Sequence, residues 1–461
     1  MLFSKDDLKK LIIPLVFEQA LSITVGMADT MMVSAVGEAA ISGVSLVDMI
    51  NLLIFNIMAA LATGGAVITS QHLGAKQPQE ACRSAVQLLY TVTIASLLIT
   101  IFVITARTPL LSLFFGHIEA DVMENAMTYL LISAVSFPFL AIYNACAALF
   151  RSMGNAKITL KVSILINIIN VAGNAFCIFI LHMGVAGVAI PSLVSRAIGG
   201  IILYVLLKNP DYLIHFEKEP FHLDWYTIKK ILYIGIPNGI ESGIFQLGRV
   251  LVVSIISMFG TVQIAANGVA NNLDSLGCMI GQAMNLVMIT VIGQCVGAKD
   301  EQQIRYYTKK LLLITYISAA ILNGLILVFL NPILSIYGLS TATTRLAYIL
   351  VMIHDGCAIL LWPIAFVLPN MLRACNDVKF TMVISVFSMI TFRIGLSLLI
   401  GVHYNMGLLG YGLPWLWIGF SARSCLWADT LADAGVGCAI LKKGKRYNRL
   451  PFFFYRLYIK I

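Results

Sequence analysis

The chain carries a series of apolar windows, each about 20 residues or longer. An α-helix rises about 1.5 Å per residue, so a window of this length crosses the hydrocarbon core of a bilayer. Only 11 % of the residues are charged, against about 25 % in soluble domains. The windows predict an all-α polytopic membrane protein with twelve transmembrane helices, at about residues 11–35, 46–72, 87–107, 127–150, 158–181, 185–208, 231–259, 268–296, 311–331, 346–372, 380–403 and 407–440.

The second half of the sequence repeats the first. Gly74–Lys76 and Gly297–Lys299 both read GAK and lie 223 residues apart. At the same offset, Pro14 and Glu18 return as Pro237 and Glu241. Six spans in each copy insert with the same orientation, which predicts parallel repeats. We expect an N-terminal lobe at 1–208, a cytoplasmic linker at 209–230, a C-terminal lobe at 231–440 and a basic tail at 441–461.

The basic residues behind the net charge of +9 follow the predicted membrane topology. Most Lys and Arg residues lie in the N-terminus, in alternate short loops and in the C-terminal tail. The positive-inside rule therefore predicts that both termini are cytoplasmic in a multi-pass plasma-membrane protein. The expected partners are the lipid bilayer and small amphipathic molecules, with no nucleic acid, and we expect a monomer.

The sequence has no motif for covalent, nucleotide-driven or metal-dependent catalysis. The Gly-rich pieces GAKQ and GAKD lack Walker spacing, and no HExxH or nucleophile-elbow motif occurs. A lipid-modifying enzyme would need a clustered acid, base and nucleophile. We therefore expect no enzymatic activity and no cofactor.

Asp29 is the strongest candidate for ion coupling, because a carboxylate in a spanning helix costs about 2.5–3.5 kcal/mol on insertion scales. In the fifth span, Asn170 and Asn174 share a helical face. Ser192 in the sixth span falls at similar depth, so these residues can form a hydrophilic chamber around Asp29. Arg196 is the one basic residue in the spans of this half that can pair with Asp29. The alternative for the two Asn residues and Ser192 is hydrogen bonding between helices.

Glu18 and Glu241 occupy equivalent positions of the two repeats. Two interpretations stay open for this pair. Each residue either packs between helices as a protonated carboxyl or lines the cavity between the lobes.

The second half carries four more charged residues at membrane depth. We interpret them mainly as internal ion pairs, with His354 nearby. In the alternative interpretation, the ion pairs exchange partners during transport, and either aspartate is released to bind a cation. The four residues are Arg249, Asp274, Asp355 and Arg393.

Several motifs together resemble the multidrug and toxic compound extrusion (MATE) family over nearly the whole chain. They are ADTMMVSAVG around Asp29, the pair SQHLGAK and GQCVGAK, the pair LFRSMGNAK and MLRACNDVK, and MGVAGVAI after the fifth span. The resemblance implies two six-helix lobes that form a V-shaped central cavity. It also implies a secondary antiporter that exports amphipathic, often cationic compounds in exchange for H⁺ or Na⁺.

The resemblance assigns roles to individual residues. Asp29 matches the first-helix Asp that binds the coupling ion in prokaryotic members, and Asn170 matches an Asn of that site. Asn174 stands where many members have Asp, so both H⁺ and a Na⁺ at Asp29 stay open. Glu241 and Asp355 do not fall on the second-lobe acidic positions of the sodium-coupled branch.

Two further points qualify the resemblance. The alternative function within the same superfamily is a flippase for a lipid-linked precursor, whose cavity would be rich in Arg and Lys. The last window also departs from the family pattern, since it contains Arg423, Asp429 and Asp433.

Overall fold

The computed structural model describes residues 2–116, 119–216, 222–395 and 397–403. These residues are almost entirely helical and contain no strand. They include 11 helices that are long and apolar enough to cross a membrane. The all-α membrane fold is confirmed, and the window at 407–440, with Arg423 and the tail, lies outside the described residues.

Seven α-helices and one π-helical segment form the first half. They are α1 (Lys5–Ser34), α2 (Glu38–Gly74), α3 (Pro78–Thr105), α4 (Arg107–Phe115), α5 (Ala120–Ser152), α6 (Ala156–Ala175) with its π-helical continuation Phe176–Ile180, and α7 (Ala186–Leu206).

The second half follows the same order over its described part. Its helices are α8 (Trp225–Ser257), α9 (Thr261–Gly277), α10 (Met279–Gly297), α11 (Glu301–Val328), α12 (Leu330–Ile336), α13 (Thr341–Trp362), α14 (Leu368–Ala374) and α15 (Val378–Ser388), with π-helical segments at Pro363–Val367, Met389–Gly395 and Ser397–His403.

The structure adds two short helices that the windows do not predict. Both α4 and α12 follow directly on a long spanning helix and carry a proline within their first turn, Pro109 and Pro332. Proline is tolerated in a first turn because its missing N–H has no intrahelical partner there. Helices of 9 and 7 residues are too short to cross a bilayer, so hydropathy windows alone do not detect them.

The turns between helices are also repeated. Gly37 precedes α2 and Gly260 precedes α9, with φ of 133° and 99°. Side chains other than glycine rarely adopt this backbone region. The two GAK segments form tight turns in which Lys76 and Lys299 both have φ of 57°. Equivalent positions of the two halves therefore share backbone geometry as well as sequence.

Two aspartates outside the spans cap helices of the second half. Asp300 accepts hydrogen bonds from the backbone and side-chain nitrogens of Gln303 at 3.0 and 2.6 Å, and Asp224 accepts one from the Thr227 hydroxyl at 2.6 Å. These bonds lower the pKa of both carboxyls because they stabilise the ionised form. The ionised carboxylates stabilise the N-termini of α11 and α8, because they accept hydrogen bonds there and interact favourably with the helix dipole.

The two halves meet where α2 packs against α8 and α10. A Cβ added at Gly74 would overlap the carbonyl oxygen of Gln294, and one at Gly297 would overlap that of Gln71. The Gln71 amide donates to the carbonyl of Ala374 at 2.9 Å. The Gln294 amide donates to the carbonyl of Ser152 at 2.7 Å. The two halves are therefore held together near the GAK turns, by close backbone contact at two glycines and by the hydrogen bonds of two glutamines.

Candidate functional site

Asp29 and the three residues predicted around it form one hydrogen-bonded chain. The Asn174 amide donates to Asp29 Oδ1 at 2.8 Å and lies 3.5 Å from Asn170 Oδ1. The Asn170 amide in turn donates to the Ser192 hydroxyl at 2.9 Å. Asn174 is fully buried and Asn170 is 6 % exposed, whereas Asp29 is half-buried. The hydrogen bonds therefore lead from the half-buried carboxylate of Asp29 to the buried asparagines inside the first lobe.

Close packing of three helices positions this chain. Helix α6 contacts both α1 and α7, and its Asn170 and Asn174 face the same direction because they are four residues apart. Gly173 permits the close approach of α7, since a Cβ there would lie 2.7 Å from Pro191 Cβ. A larger residue at Gly173 would push Ser192 away from Asn170.

A second polar group in the same lobe, centred on Asp48 of α2, was missed by the sequence predictions. The Tyr129 hydroxyl donates to Asp48 Oδ1 at 3.2 Å, and the Asn51 amide lies 3.4 Å from the same oxygen. Asp48 stands near the start of the second apolar window. An acidic residue inside that window was the signal that could have identified it.

Arg196 connects the two polar groups electrostatically. Its guanidinium donates to the Ser136 hydroxyl at 2.7 Å and lies 4.6 Å from the centre of the Phe55 ring. Its charge acts on both Asp29 and Asp48. Arg196 therefore influences Asp29, as the sequence indicated, while its direct hydrogen bond goes to a serine.

Glu18 and Glu241 are ion-paired in equivalent ways, which neither interpretation of the sequence included. Glu18 lies 3.6 Å from Arg151 and accepts a hydrogen bond from the Thr159 hydroxyl at 3.0 Å. Glu241 lies 2.7 Å from Arg373. Each carboxylate therefore faces an arginine that lies 133 or 132 residues away in the sequence.

The charged residues of the second lobe are arranged around a histidine. His354 Nδ1 lies 2.9 Å from Asp274 and 3.5 Å from Asp355. The Arg249 charge acts on Asp274. The Arg393 guanidinium lies 5.0 Å from the centre of the Phe245 ring. His354 therefore joins the two aspartates in an Asp–His–Asp cluster, and the pairing of Arg249 and Arg393 with these aspartates stays a prediction.

A small cavity of about 70 Å³ lies between the halves. Helices α2 and α5 line one side, and α10 lines the other. Six of its ten lining residues are apolar, four of them alanines, and Arg151 is the charged residue among the ten. The partner of Glu18 therefore faces the space between the halves.

The protein is helical and polytopic, with hydrogen-bonded polar residues buried in one lobe and a cavity between two repeated halves. This is the structure of a membrane transporter. The MatE family model matches the chain twice, at residues 14–176 and 237–399. The second match begins and ends 223 residues after the first, which is the offset of the internal repeat. The chain belongs to the MatE family of transporters.

Bacterial relatives match most of the chain. The "Uncharacterized transporter YisQ" of Bacillus subtilis (strain 168) is 30 % identical over 417 residues, covering 89 % of each chain. A "Probable multidrug resistance protein NorM" of Thermotoga maritima is 24 % identical, covering 91 % of this chain and 89 % of that protein.

Solved structures share the fold at low sequence identity. A MOP superfamily transporter from Pyrococcus furiosus, described as having a binding pocket of reverse polarity, is 19 % identical with a TM-score of 0.86. An outward-facing multidrug resistance MATE family transporter is 19 % identical with a TM-score of 0.85. In both cases the match covers 93 % of this chain and 96 % of the other.

Proposed function

We propose that the chain is a secondary antiporter that exports amphipathic, often cationic compounds in exchange for inward H⁺ or Na⁺. The observation that carries the proposal is the chain from Asp29 through Asn174 and Asn170 to Ser192. It places one carboxylate among uncharged donors at membrane depth, where a bound proton or cation offsets the cost of its charge.

An ion drives transport only if it binds one conformation more tightly than the other. Asp29 and its Asn174 partner lie on different helices, α1 and α6. Movement of α1 relative to α6 makes or breaks the hydrogen bond from Asn174 to the carboxylate and so changes the affinity of Asp29 for a proton or cation. This gives the differential binding that antiport requires.

The cavity between the halves supports amphipathic cargo. Its alanines, leucine and isoleucine offer apolar contacts, while Thr63, Asn144 and Thr290 offer a few hydrogen bonds. Such a lining accepts molecules of different shapes, because it demands few directed contacts. The relative named as a probable multidrug resistance protein is consistent with this cargo.

We further propose that both termini face the cytoplasm of a bacterial cell, with Lys76 and Lys299 on that side. The support is the accumulation of Lys and Arg in these loops. No resident cofactor is part of the proposal.

Transport into inside-out membrane vesicles tests the function. A panel of cationic dyes is supplied outside, and either an acidic lumen or a Na⁺-loaded lumen is imposed. We expect dye accumulation that follows one of the two gradients and collapses when a matching ionophore is added. Accumulation of none of the dyes under either gradient would contradict the proposal and favour a lipid-linked cargo.

A further inference from the structure

The Asp–His–Asp cluster of the second lobe joins two helices, α9 and α13. One donor atom from each of Asp274, His354 and Asp355 lies within 4.8 Å of the other two. The individual distances from His354 Nδ1 are 2.9 Å to Asp274 and 3.5 Å to Asp355. None of these residues takes part in the Asp29 chain of the first lobe.

The burial of Asp355 is the feature of this cluster that the stability of the fold explains least. It is fully buried, and neither of its carboxylate oxygens accepts a hydrogen bond from the residues that the structure describes. A buried carboxylate without donors costs several kcal/mol on the general scale of buried charges. Its neighbour in space is the His354 imidazole, so its unsatisfied oxygens lie at the cluster.

A thiol stands beside this group. Cys278 directly follows α9, and its Sγ lies 3.1 Å from Asp274 Oδ1. The thiol is buried and free of any disulfide. The donors that converge are one imidazole and two carboxylates, and Cys278 contacts one of the two carboxylates.

This donor set selects a class of ion. Imidazole suits first-row divalent transition metals, especially Zn²⁺, whereas Ca²⁺ and Mg²⁺ prefer oxygen ligands alone. Nitrogen and oxygen donors about 2.0–2.2 Å from one tetrahedral ion are roughly 3.3–3.6 Å apart. The spacings of 2.9 and 3.5 Å from His354 Nδ1 to the two carboxylates need only small side-chain movements to reach that geometry.

The local charge is compatible with a divalent ion. The two carboxylates carry the negative charge that balances one divalent cation. A bound ion would also satisfy the oxygens of Asp355.

We propose that Asp274, His354 and Asp355 form a binding site for a zinc-class divalent cation in the second lobe, with the Cys278 thiol beside it. The site is separate from the Asp29 chain and does not depend on which ion drives transport. Access is through Asp274, whose side chain is 21 % exposed.

Cobalt(II) titration of the full-length protein, purified in detergent without a polyhistidine tag, tests the site. We expect one saturable site per chain, with the visible bands of tetrahedral cobalt. Asp355→Asn and His354→Gln should weaken cobalt binding by about 100-fold or more. Cys278→Ser should keep the visible bands.

Matched controls lie elsewhere in the chain. Cys295→Ser removes another buried thiol, and His182→Asn removes an exposed histidine; both should bind cobalt as the unaltered protein does. Binding by Asp355→Asn or His354→Gln at unaltered affinity would overturn the proposal. Equal loss in the controls would overturn it as well.

A measurement on the unaltered chain keeps the proposal falsifiable if a variant fails to fold. Zn²⁺ should slow alkylation of Cys278 by a maleimide, read by peptide mass spectrometry, and leave the alkylation rate of Cys295 unchanged. Absence of saturable cobalt binding, or alkylation of Cys278 that ignores Zn²⁺, would contradict the site directly.

Discussion

The Asn174 amide donates a hydrogen bond of 2.8 Å to the carboxylate of Asp29, although 145 residues separate them in the chain. The bond joins α1 to α6 and satisfies one oxygen of a carboxylate at membrane depth. Asn174 itself is fully buried. The position and hydrogen bonding of Asp29 therefore depend on how closely α1 and α6 pack.

Replacing Asn174 by Leu should impair gradient-driven efflux. The change removes a donor to a charged group, and such bonds contribute about 1.5–3 kcal/mol. We expect efflux in vesicles to fall by about tenfold or more. Asn167→Leu is the matched control, because Asn167 lies on the same helix but contacts Ser163 at 3.4 Å. Equal losses for both variants would mean that the Asp29 bond has no special role.

Breaking the Glu241–Arg373 pair should destabilise the fold. Both side chains are 13 % exposed, and removing one partner of a buried pair costs about 3–5 kcal/mol. Because these groups keep some exposure, we expect Glu241→Gln to lower the free energy of unfolding by about 2–3 kcal/mol. The measurement is reversible denaturation in mixed micelles.

The control for this pair is Glu301, which lies 3.0 Å from Arg305 on the surface of α11. These side chains are 43 % and 37 % exposed, so Glu301→Gln should change the unfolding free energy by only about 0–1 kcal/mol. A similar small effect for Glu241→Gln would show that its pair does not hold α8 to α14.

Gly74→Ala should weaken the contact between the halves. The added Cβ would overlap the Gln294 carbonyl, and overpacking costs about 1–3 kcal/mol. In a variant that keeps Cys295 as its only cysteine, we expect maleimide labelling of this buried thiol to accelerate by about fivefold or more. Gly324→Ala is the control, since a Cβ there meets open space. Unchanged labelling in Gly74→Ala would contradict a closed contact at this end.

The sequence predicted the Asp29 group because its signals are local. Helical spacing places Asn170 and Asn174 on one face, and depth along the span brings in Ser192. The repeat offset also identified Glu18 and Glu241 as equivalent. These inferences need only the geometry of single helices and the order of spans.

The sequence did not predict contacts that depend on packing between helices. Arg151 falls just outside the apolar window at 127–150, so the sequence does not predict its pairing with Glu18. The Asp48 group needs α2 to lie beside α5, where Tyr129 is. The contacts of His354 with Asp274 and Asp355 depend on the rotation of α13, which periodicity does not set.

The most direct test of the transport account compares Asp29→Asn with the unaltered protein in inside-out vesicles. Asparagine keeps the size of the side chain and removes its charge. We predict that gradient-driven dye accumulation is abolished, while dye exchange at equilibrium without any gradient and the amount of protein in the membrane are retained. Gradient-driven accumulation by Asp29→Asn at the unaltered rate would contradict the account.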